Sequence, residues 1–579
     1  MDATPSVLDR QWSLVQPLRA ESGEGFHAAP GVVLDISRLL ARGRKVAPSG
    51  IDRVELAYAR RWAAMPEDRC VFVAGALSGA WSVLPRRAVE ELVAALSISW
   101  CGTPAAPPPP WFPHGPSMAG GGAGGGGGGG AGGEGWQDRW ESQDEIQAGM
   151  QREAQRDAER IATRLRLLAG LGLGAGQLAP RLGRLGARRA FLLVSHRALE
   201  RPGPIQAMRA RGCAFVPLIH DLIPATHPEY ARPGQSARHL RRIDTTARLA
   251  DGVIVNSTDT AEVLAPHLRI RPVPPPVIVA PLGIETTGVV SAMGQSVVTQ
   301  DIVTQGAVTQ GAVTQGAVIQ GAVIQGVGAR PLRHAAATAE RPGGPAPYFV
   351  TLGTIEPRKN HLLLLHLWRD FVRAGAAGLG GPVPRLLIIG RRGWENENII
   401  DILERSAVLR GTVEELGQLS DTRMAALLSG ARALLFPSFV EGYGLPLAEA
   451  LALGVPAICS DLPALREVGG PVPHYLDPLD GAGWRAAILD YARPGSAARA
   501  AQATRLQNWR PPGWDSHFRQ VDAMLEHVTR PRPNSGSAAS PPATAFRRWP
   551  GWRTTATPEI SSASGKISWV PLATHGYAT

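Results

Sequence analysis

Two glutamates separated by seven residues stand in the most chemically informative stretch of the sequence. They are Glu441 and Glu449, within FPSFVEGYGLPLAEALALGVPAICSD at residues 436–461. Carboxylates accept hydrogen bonds from sugar and ribose hydroxyl groups, which need acceptors once they leave water. The alternative is that the dipole of a helix merely favours Glu449, an explanation that leaves Glu441 unaccounted for.

The order of residue types around the two glutamates predicts a strand, a glycine loop and a helix. Pro446 stands where the first helical turn should begin, a position that proline prefers. Glu441 is then on the loop, and Glu449 is in about the first helical turn. Backbone N–H groups at the start of such a helix form an anion site. Those groups belong to the segment that contains Gly442, Gly444 and Leu445.

Two cations follow another predicted strand. TLGTIEPRKNHLLLL, residues 351–365, predicts a strand that ends near Gly353, then a turn with Arg358 and Lys359, then a helix. Only three of the 60 basic residues are lysines, so a lysine at this position is informative. Two fixed cations would neutralise a diphosphate as its bond to a sugar breaks. The alternative is a pair of solvent-exposed turn charges.

Two weaker patterns lie in the first half of the chain. FVPLIHDLIPATHPEY, residues 215–230, places His220 and Asp221 at the end of an apolar strand, although a histidine there is often only a hydrogen-bonded core residue. PSGIDR, residues 48–53, is a glycine turn before a helix. Gly50 would let the backbone approach a phosphate or an acceptor.

Short apolar runs alternate with helical periodicity in two blocks, which predicts an α/β fold with two Rossmann-like domains. Parallel sheets covered on both faces have such continuous strands, and they bind ligands at the carboxyl ends of those strands. The predicted strands are 32–36, 71–74, 191–195, 215–220, 253–256 and 277–280, then 348–352, 385–389, 413–416, 433–436 and 456–459. The predicted helices include 51–60, 237–249, 361–373, 396–408, 421–431 and 445–453.

Composition divides the chain further. The predicted segments are a leader at 1–30, a first domain at 31–285, a linker at 286–345, a second domain at 346–528 and a disordered tail at 529–579. A glycine-rich insertion at 104–135 interrupts the first domain. We expect it to be a flexible loop, because such a tract cannot bury enough side chain to offset its ordering entropy. The linker carries a five-residue repeat at 297–326; a short β-solenoid rung is the alternative.

Charge and cysteine usage indicate which partners and which cellular compartment to expect. The net charge is +11 and the pI is about 10.1. Compositional bias explains this positive charge; the alternative is that it serves to attract anionic lipid or phosphorylated substrates. The sequence has no nucleic-acid recognition motif, so we expect no nucleic-acid partner. The four cysteines are far apart, which fits a reducing cytosol. The sequence shows no secretory signal and no apolar run long enough to span a membrane.

One predicted helix carries arginines at every fourth position. They are Arg152, Arg156, Arg160 and Arg164, which therefore share one face. The simpler interpretation is a solvated face that pairs with Glu153, Asp157 and Glu159. The sharper hypothesis is a helix that rests on an anionic membrane leaflet.

The carboxylate pair with which many sugar transferases bind a metal–diphosphate is missing, since the sequence contains no Asp-x-Asp triplet. We therefore expect no metal site and no other cofactor, with protein cations in the place of the metal.

The sequence resembles the family 4 retaining glycosyltransferases, and within them the enzymes that build lipopolysaccharide O-antigen or capsule, many of which are mannosyltransferases. The resemblance covers roughly residues 31–100, 190–285 and 346–525. It is carried by the E-x7-E pattern and by the segments LDISRLL, PSGIDRVELAYAR, IHDLIPATHPEY, LGTIEPRKN and PSFVEGYGLPLAEALALGVPAICSDLPALREVGG. It implies the type B fold, in which two Rossmann-like domains face a central cleft.

The resemblance also implies roles for the site residues. Glu449 would bind the donor ribose, Glu441 the transferred sugar, and Arg358 with Lys359 the diphosphate; His220 would face the donor sugar, and Gly50 would lie near the donor phosphates or the acceptor. In one departure, Thr354 follows Gly353 where many members have arginine.

The implied reaction moves a hexose from a nucleotide-diphosphate sugar to a glycan or a lipid-linked oligosaccharide. By resemblance alone the donor is guanosine diphosphate mannose. The cysteine usage and the lack of a secretory signal predict a cytoplasmic enzyme, and the helix with Arg152, Arg156, Arg160 and Arg164 offers peripheral contact with the inner membrane. For retention, the resemblance implies same-face attack in which the departing phosphate takes the acceptor proton. Asp221 and Glu441 remain the candidate nucleophiles of a covalent route. Two alternatives stay open: a nucleotide-sugar epimerase, and a catalytically silent relative that only binds sugar nucleotides.

Overall fold

The computed structural model describes residues 29–45, 48–101, 137–284, 346–417, 419 and 421–531. The predicted leader up to residue 28, the glycine-rich insertion, the repeat-containing linker and the tail beyond residue 531 lie outside the described residues. Residues 531–579 belong to a unit separate from residues 1–530. Both predicted domains belong to the larger unit.

The first domain is built on a seven-stranded sheet. The strands are β1 (Gly31–Asp35), β2 (Cys70–Gly75), β3 (Trp81–Val83), β4 (Arg189–Leu193), β5 (Cys213–Ile219), β6 (Val253–Val255) and β7 (Val277–Val279). Their order is β3-β2-β1-β4-β5-β6-β7, and all pairs are parallel except β2 with β3. The predicted strands are confirmed, whereas the antiparallel edge strand β3 was not predicted, because its sequence WSV lacks the continuous apolar run that identified the others.

The second domain is built on a six-stranded sheet in which all pairs are parallel. The strands are β8 (Tyr348–Leu352), β9 (Arg385–Ile389), β10 (Val413–Gly417), β11 (Leu434–Phe436), β12 (Ala457–Ser460) and β13 (His474–Leu476), in the order β10-β9-β8-β11-β12-β13. In both sheets the first strand lies inside the sheet and the order reverses beside it. Ligands of open α/β sheets bind at such a reversal, between β1 and β4 or between β8 and β11.

Helices connect the strands. In the first domain they are α1 (Ser37–Arg42), α2 (Gly50–Ala63), α3 (Arg86–Cys101), α4 (Gln137–Gly170), α5 (Leu178–Arg184), α6 (Pro202–Arg209), α7 (Ile223–Thr226), α8 (Gln235–Leu249) and α9 (Thr258–Leu268). In the second part they are α10 (His361–Leu379), α11 (Glu397–Arg405), α12 (Asp421–Ser429), α13 (Leu445–Ala452), α14 (Pro463–Gly469), α15 (Gly481–Ala492), α16 (Ala497–Leu506) and α17 (Trp514–Thr529). Among the described helices none has an apolar stretch long enough to cross a bilayer.

The last helix returns to the first domain. Tyr58 of α2 shares a hydrogen bond of 2.8 Å with His517 of α17, and the Tyr58 ring packs edge-on against Phe518. Trp62 packs against the same Phe518 ring. Helix α17, which the sequence assigned to the second domain, therefore shares an apolar core with the first.

Candidate functional site

The two cations and the first glutamate meet because β8 and β11 are neighbours in the second sheet. Lys359 lies in a turn after β8, and Glu441 lies in the loop after β11. The Lys359 ammonium donates to Glu441 Oε1, and Arg358 Nη1 lies 2.9 Å from Glu441 Oε2. Arg358 Nε also pairs with Glu356 at 2.6 Å. The predicted grouping of Arg358, Lys359 and Glu441 at one edge of the sheet is thus present in the structure.

The charges of this group compensate one another away from water. Glu441 is only 8% exposed. Burial alone would raise the pKa of Glu441, but the charges of Arg358 and Lys359 outweigh burial and hold the pKa at about 2. The carboxylates beside Arg358 raise the pKa of its guanidinium against the effect of burial. The group therefore contains two cations and two carboxylates, Glu441 and Glu356, whose formal charges balance.

Gly353, just after β8, leaves space for the Lys359 side chain. Gly353 has a φ of 136°, which side-chain-bearing residues rarely adopt, and a Cβ there would lie 3.3 Å from Lys359 Cε. The Lys359 ammonium also lies 4.5 Å from the centroid of the Phe436 ring, which adds a cation–π contact. Gly353 therefore contributes by leaving room for the lysine.

The second glutamate lies in different surroundings. Glu449 is the fifth residue of α13, so the prediction that it lies in about the first turn was one turn too early. Burial raises the pKa of Glu449 to about 7, Arg53 opposes that rise and Asp421 adds to it. Arg53 and Asp421 are paired through both guanidinium nitrogens at 2.5 Å. Sequence reasoning missed this pair, because it joins α2 to α12 across 368 residues of chain.

The loop of the second domain touches the first domain at the predicted residues. A Cβ on Gly442 would lie 2.7 Å from Asp221 Cβ and 2.8 Å from the carbonyl oxygen of His220, so only glycine allows this approach. Ser257 Oγ donates to the Gly442 carbonyl at 2.9 Å.

A second contact joins the starts of two helices. Gly50 is the first residue of α2 and is not in a separate turn, since Ser49 caps that helix. A side chain at position 50 would meet Leu445, the first residue of α13, whose N-cap residue is Gly444. The predicted residues of the two domains therefore meet at the carboxyl ends of the two sheets.

His220 is neutral and hydrogen-bonded at physiological pH. Burial lowers the pKa of His220 to about 4. Its Nε2 lies 2.8 Å from the Val194 carbonyl oxygen, which places the ring proton on Nε2. The His220 backbone amide donates to His196 Nε2 at 3.1 Å. His196 was missed, although its position just after β4 is the strand-end signal that identified His220.

Two buried carboxyl groups lie at the reversal of the first sheet. Asp35 ends β1 and accepts hydrogen bonds from the Ser37 amide at 2.9 Å and its hydroxyl at 2.5 Å. Glu55 of α2 accepts from the Leu39 amide at 3.2 Å. Burial raises the pKa of Asp35 to about 6; burial and the charge of Asp35 raise the pKa of Glu55. Neither residue was predicted; Asp35 carries the same strand-end signal.

Within the described ranges, no group of three His, Cys, Asp or Glu side chains is placed to hold a metal ion. The groups that can bind an anion are the side chains of Arg358 and Lys359 and the amides at the start of α13.

A comparison with protein families matches the same part of the chain. Residues 338–471 match the family described as glycosyl transferases group 1, over less than a quarter of the chain. The second domain carries a glycosyl transferases group 1 domain. Arg358, Lys359, Glu441 and Glu449 all lie in this glycosyl transferases group 1 domain, whereas His220 precedes it.

Curated relatives of the chain are glycosyltransferases. It is 33% identical over 169 residues to O-antigen chain mannosyltransferase B of Escherichia coli, an alignment covering 29% of this chain and 43% of that protein. It is 27% identical over 294 residues to the serotype-specific mannosyltransferase WbdA of Escherichia coli, covering 49% of this chain and 30% of the relative. The chain therefore spans less than half the length of these relatives.

Among solved structures, the chain is similar to Anabaena Alr3699/HepE in complex with UDP and glucose, at 13% identity and a TM-score of 0.40. The match covers 62% of this chain and 82% of that one.

Proposed function

We propose that this chain is a retaining, metal-independent glycosyltransferase that moves a hexose from a nucleotide-diphosphate sugar to a glycan acceptor. The observation that carries the proposal is the grouping of Arg358, Lys359 and Glu441 at the reversal of the second sheet. The glycosyl transferases group 1 domain that contains all three residues supports it. The same match favours transfer over the epimerase reaction.

In the proposed reaction the bond between the anomeric carbon and the β-phosphate oxygen breaks, and a bond from the acceptor oxygen to that carbon forms on the same face. The acceptor proton passes to the departing phosphate. Arg358 and Lys359 offset the negative charge that develops on the leaving diphosphate, which is the charge that most needs stabilisation. Their pairing with Glu441 holds them in place before the donor arrives.

Glutamates and histidine orient the donor in this proposal. Glu441, ionised because its pKa is about 2, accepts hydrogen bonds from hydroxyl groups of the hexose. Glu449 binds the ribose. His220 is neutral, so it orients the sugar by hydrogen bonding and does not contribute a charge. Asp221 lies beside Gly442, where it faces the same loop.

The names of the relatives support a proposal for the substrates. Because two curated relatives are named mannosyltransferases of O-antigen or serotype determinants, we propose mannose as the hexose, guanosine diphosphate mannose as the donor and a surface polysaccharide or lipid-linked oligosaccharide as the acceptor. The reaction then takes place in the cytoplasm.

The direct test incubates purified full-length protein with radiolabelled nucleotide sugars and a membrane lipid extract. The proposal expects label in a lipid-linked or polymeric product. Label in an altered free donor would indicate an epimerase, and unchanged label would indicate a protein that only binds its ligand. Each of these two outcomes contradicts the proposal.

The same assay tests the absence of a metal. EDTA should leave the rate unchanged, because cationic side chains replace the metal in this proposal. Strong inhibition that added Mg²⁺ or Mn²⁺ reverses would contradict it.

A further inference from the structure

Four leucines form an exposed surface at one end of the first domain. Leu77 is 87% exposed, Leu167 63%, Leu171 64% and Leu173 66%. They adjoin because the Leu77 amide donates to the Gly170 carbonyl at 3.2 Å, which attaches the β2–β3 turn to the end of α4. Single exposed leucines are ordinary, but four on two adjoining segments form an apolar patch. These four residues are called the leucine surface below.

The domain core does not use the leucine surface. Helix α4 buries a separate stripe of Ala158, Ala162, Leu165 and Ala169 in the apolar core. Leu167 lies outside that stripe, and Leu171 and Leu173 follow the end of the helix. The core formed by the described residues therefore packs without them, which leaves them free to contact a partner.

The stretch of sequence that contains most of the leucine surface carries charges of one sign. Residues 160–199 contain eight arginines and no aspartate or glutamate. Arg164 and Arg166 are exposed on the last turns of α4, next to Leu167 in sequence. In the part of the chain that the structure describes, neither forms an ion pair. By contrast, Arg160 pairs with Asp157 at 2.9 Å. The unbalanced positive charge therefore lies at the leucine end of the helix.

We propose that the leucine surface inserts into the interface of a membrane rich in anionic phospholipid, with Arg164 and Arg166 against the headgroups. Exposed leucines beside unpaired arginines match an interface that is apolar below a negative surface. The contact thus lies at the end of α4, where Arg164 stands. The earlier arginines of the same face, Arg152, Arg156 and Arg160, alternate with acids and take no part in it.

Other occupants fit less well. A two-fold contact with a second copy would bring Arg164 and Arg166 close to their own counterparts, and like charges oppose such a contact. A nucleic acid would satisfy the arginines but would leave the leucines in water.

Flotation of the full chain with vesicles tests this proposal without any donor sugar, so its outcome is separate from that of the proposed reaction. We expect binding to vesicles of equimolar phosphatidylcholine and phosphatidylglycerol and little binding to phosphatidylcholine alone. Replacing Arg164 and Arg166 by Gln should lower the vesicle partition coefficient by roughly 30-fold, as loss of two headgroup contacts would.

A variant of the apolar part completes the test. Serine at Leu77, Leu167, Leu171 and Leu173 should abolish flotation, whereas the control Leu479→Ser, which replaces an exposed leucine of the second domain, should float normally. A thermal melt confirms that the variants fold. Unchanged flotation of the four-serine variant, or equal flotation with both vesicle types, would overturn the proposal. So would a change in oligomeric state of that variant with unchanged flotation.

Discussion

The carboxyl ends of the two sheets share one topology and differ in charge. In the second domain, Glu441 is buried between two cations and its pKa is held at about 2. In the first domain, Asp35 forms no ion pair with the residues that the structure describes, and burial raises its pKa to about 6. Asp35 is the last residue of β1 and Glu441 follows β11, and each of these strands lies where the strand order reverses. The fold therefore positions the groups, while their neighbours set the pH at which each carboxylate takes up a proton.

This difference supports a division of labour between the domains. The second domain presents permanent charges, which suit a diphosphate and its developing charge. The first domain presents the neutral His220 and carboxyl groups whose protons bind tightly, which suit hydrogen bonding to sugar hydroxyls. Two kinds of variant test this difference. One removes a charge from the second domain, and the other replaces a titratable carboxyl group of the first domain.

The largest effect should come from the cationic side. Lys359→Ala should lower turnover by roughly 10²-fold, because it removes one contact that strengthens in the transition state. Initial rates with a labelled donor measure the effect. The control Arg405→Ala removes an exposed arginine of the same domain that pairs with Asp401 and should leave the rate unchanged. Near-normal turnover in Lys359→Ala would mean that the diphosphate binds elsewhere.

In the first domain, replacing the titratable Asp35 should change how the free energy of unfolding depends on pH. Since the folded-state pKa of Asp35 exceeds its ordinary value, the contribution of this group to the free energy of unfolding is greatest below pH 4 and falls as pH rises to about 6. Two pKa units correspond to about 3 kcal/mol. Urea denaturation at several pH values should show this fall in the native protein and not in Asp35→Asn.

The control for that series is Asp68→Asn, at an exposed position, which should keep the fall seen in the native protein. An Asp35→Asn variant with the same pH dependence as the native protein would contradict the description of the first domain.

A smaller effect should distinguish the two glutamates of the second domain. Because the pKa of Glu449 is about 7, its carboxylate is lost as pH falls through neutrality, whereas Glu441 stays ionised. We expect kcat/KM for the donor to fall by roughly tenfold between pH 8 and pH 6. Glu449→Gln should have a lower kcat/KM without that pH step. Persistence of the step in Glu449→Gln would assign it to another group.

The smallest effect should come from the pair that joins the domains. Arg53 and Asp421 are both partly exposed, so their coupling should be about 1 kcal/mol, or about fivefold in donor affinity. A double-mutant cycle with alanine at each position measures it by calorimetric titration of the donor. The pair Arg61–Asp522 joins α2 to α17 instead and should show no coupling in donor affinity. Equal coupling in both pairs would mean that Arg53–Asp421 acts only on folding.

Sequence periodicity predicted most of the strands, and with them the edge at which Arg358, Lys359 and Glu441 meet. Residues just after a buried strand can be located in this way because parallel strands end at one edge. The partners across the domains could not be predicted: Arg53 with Asp421, and α17 with Tyr58, are joined only by the folded chain. The pKa values of Glu449 and Asp35 could not be predicted either, because burial in the folded protein raises them.

The most direct test of the account is a crystal structure of the protein with a nucleotide-diphosphate sugar bound. The account predicts the two phosphates within hydrogen-bonding distance of Arg358 and Lys359, and the hexose against Glu441. Phosphates bound away from both cations, with the hexose out of reach of Glu441, would contradict it.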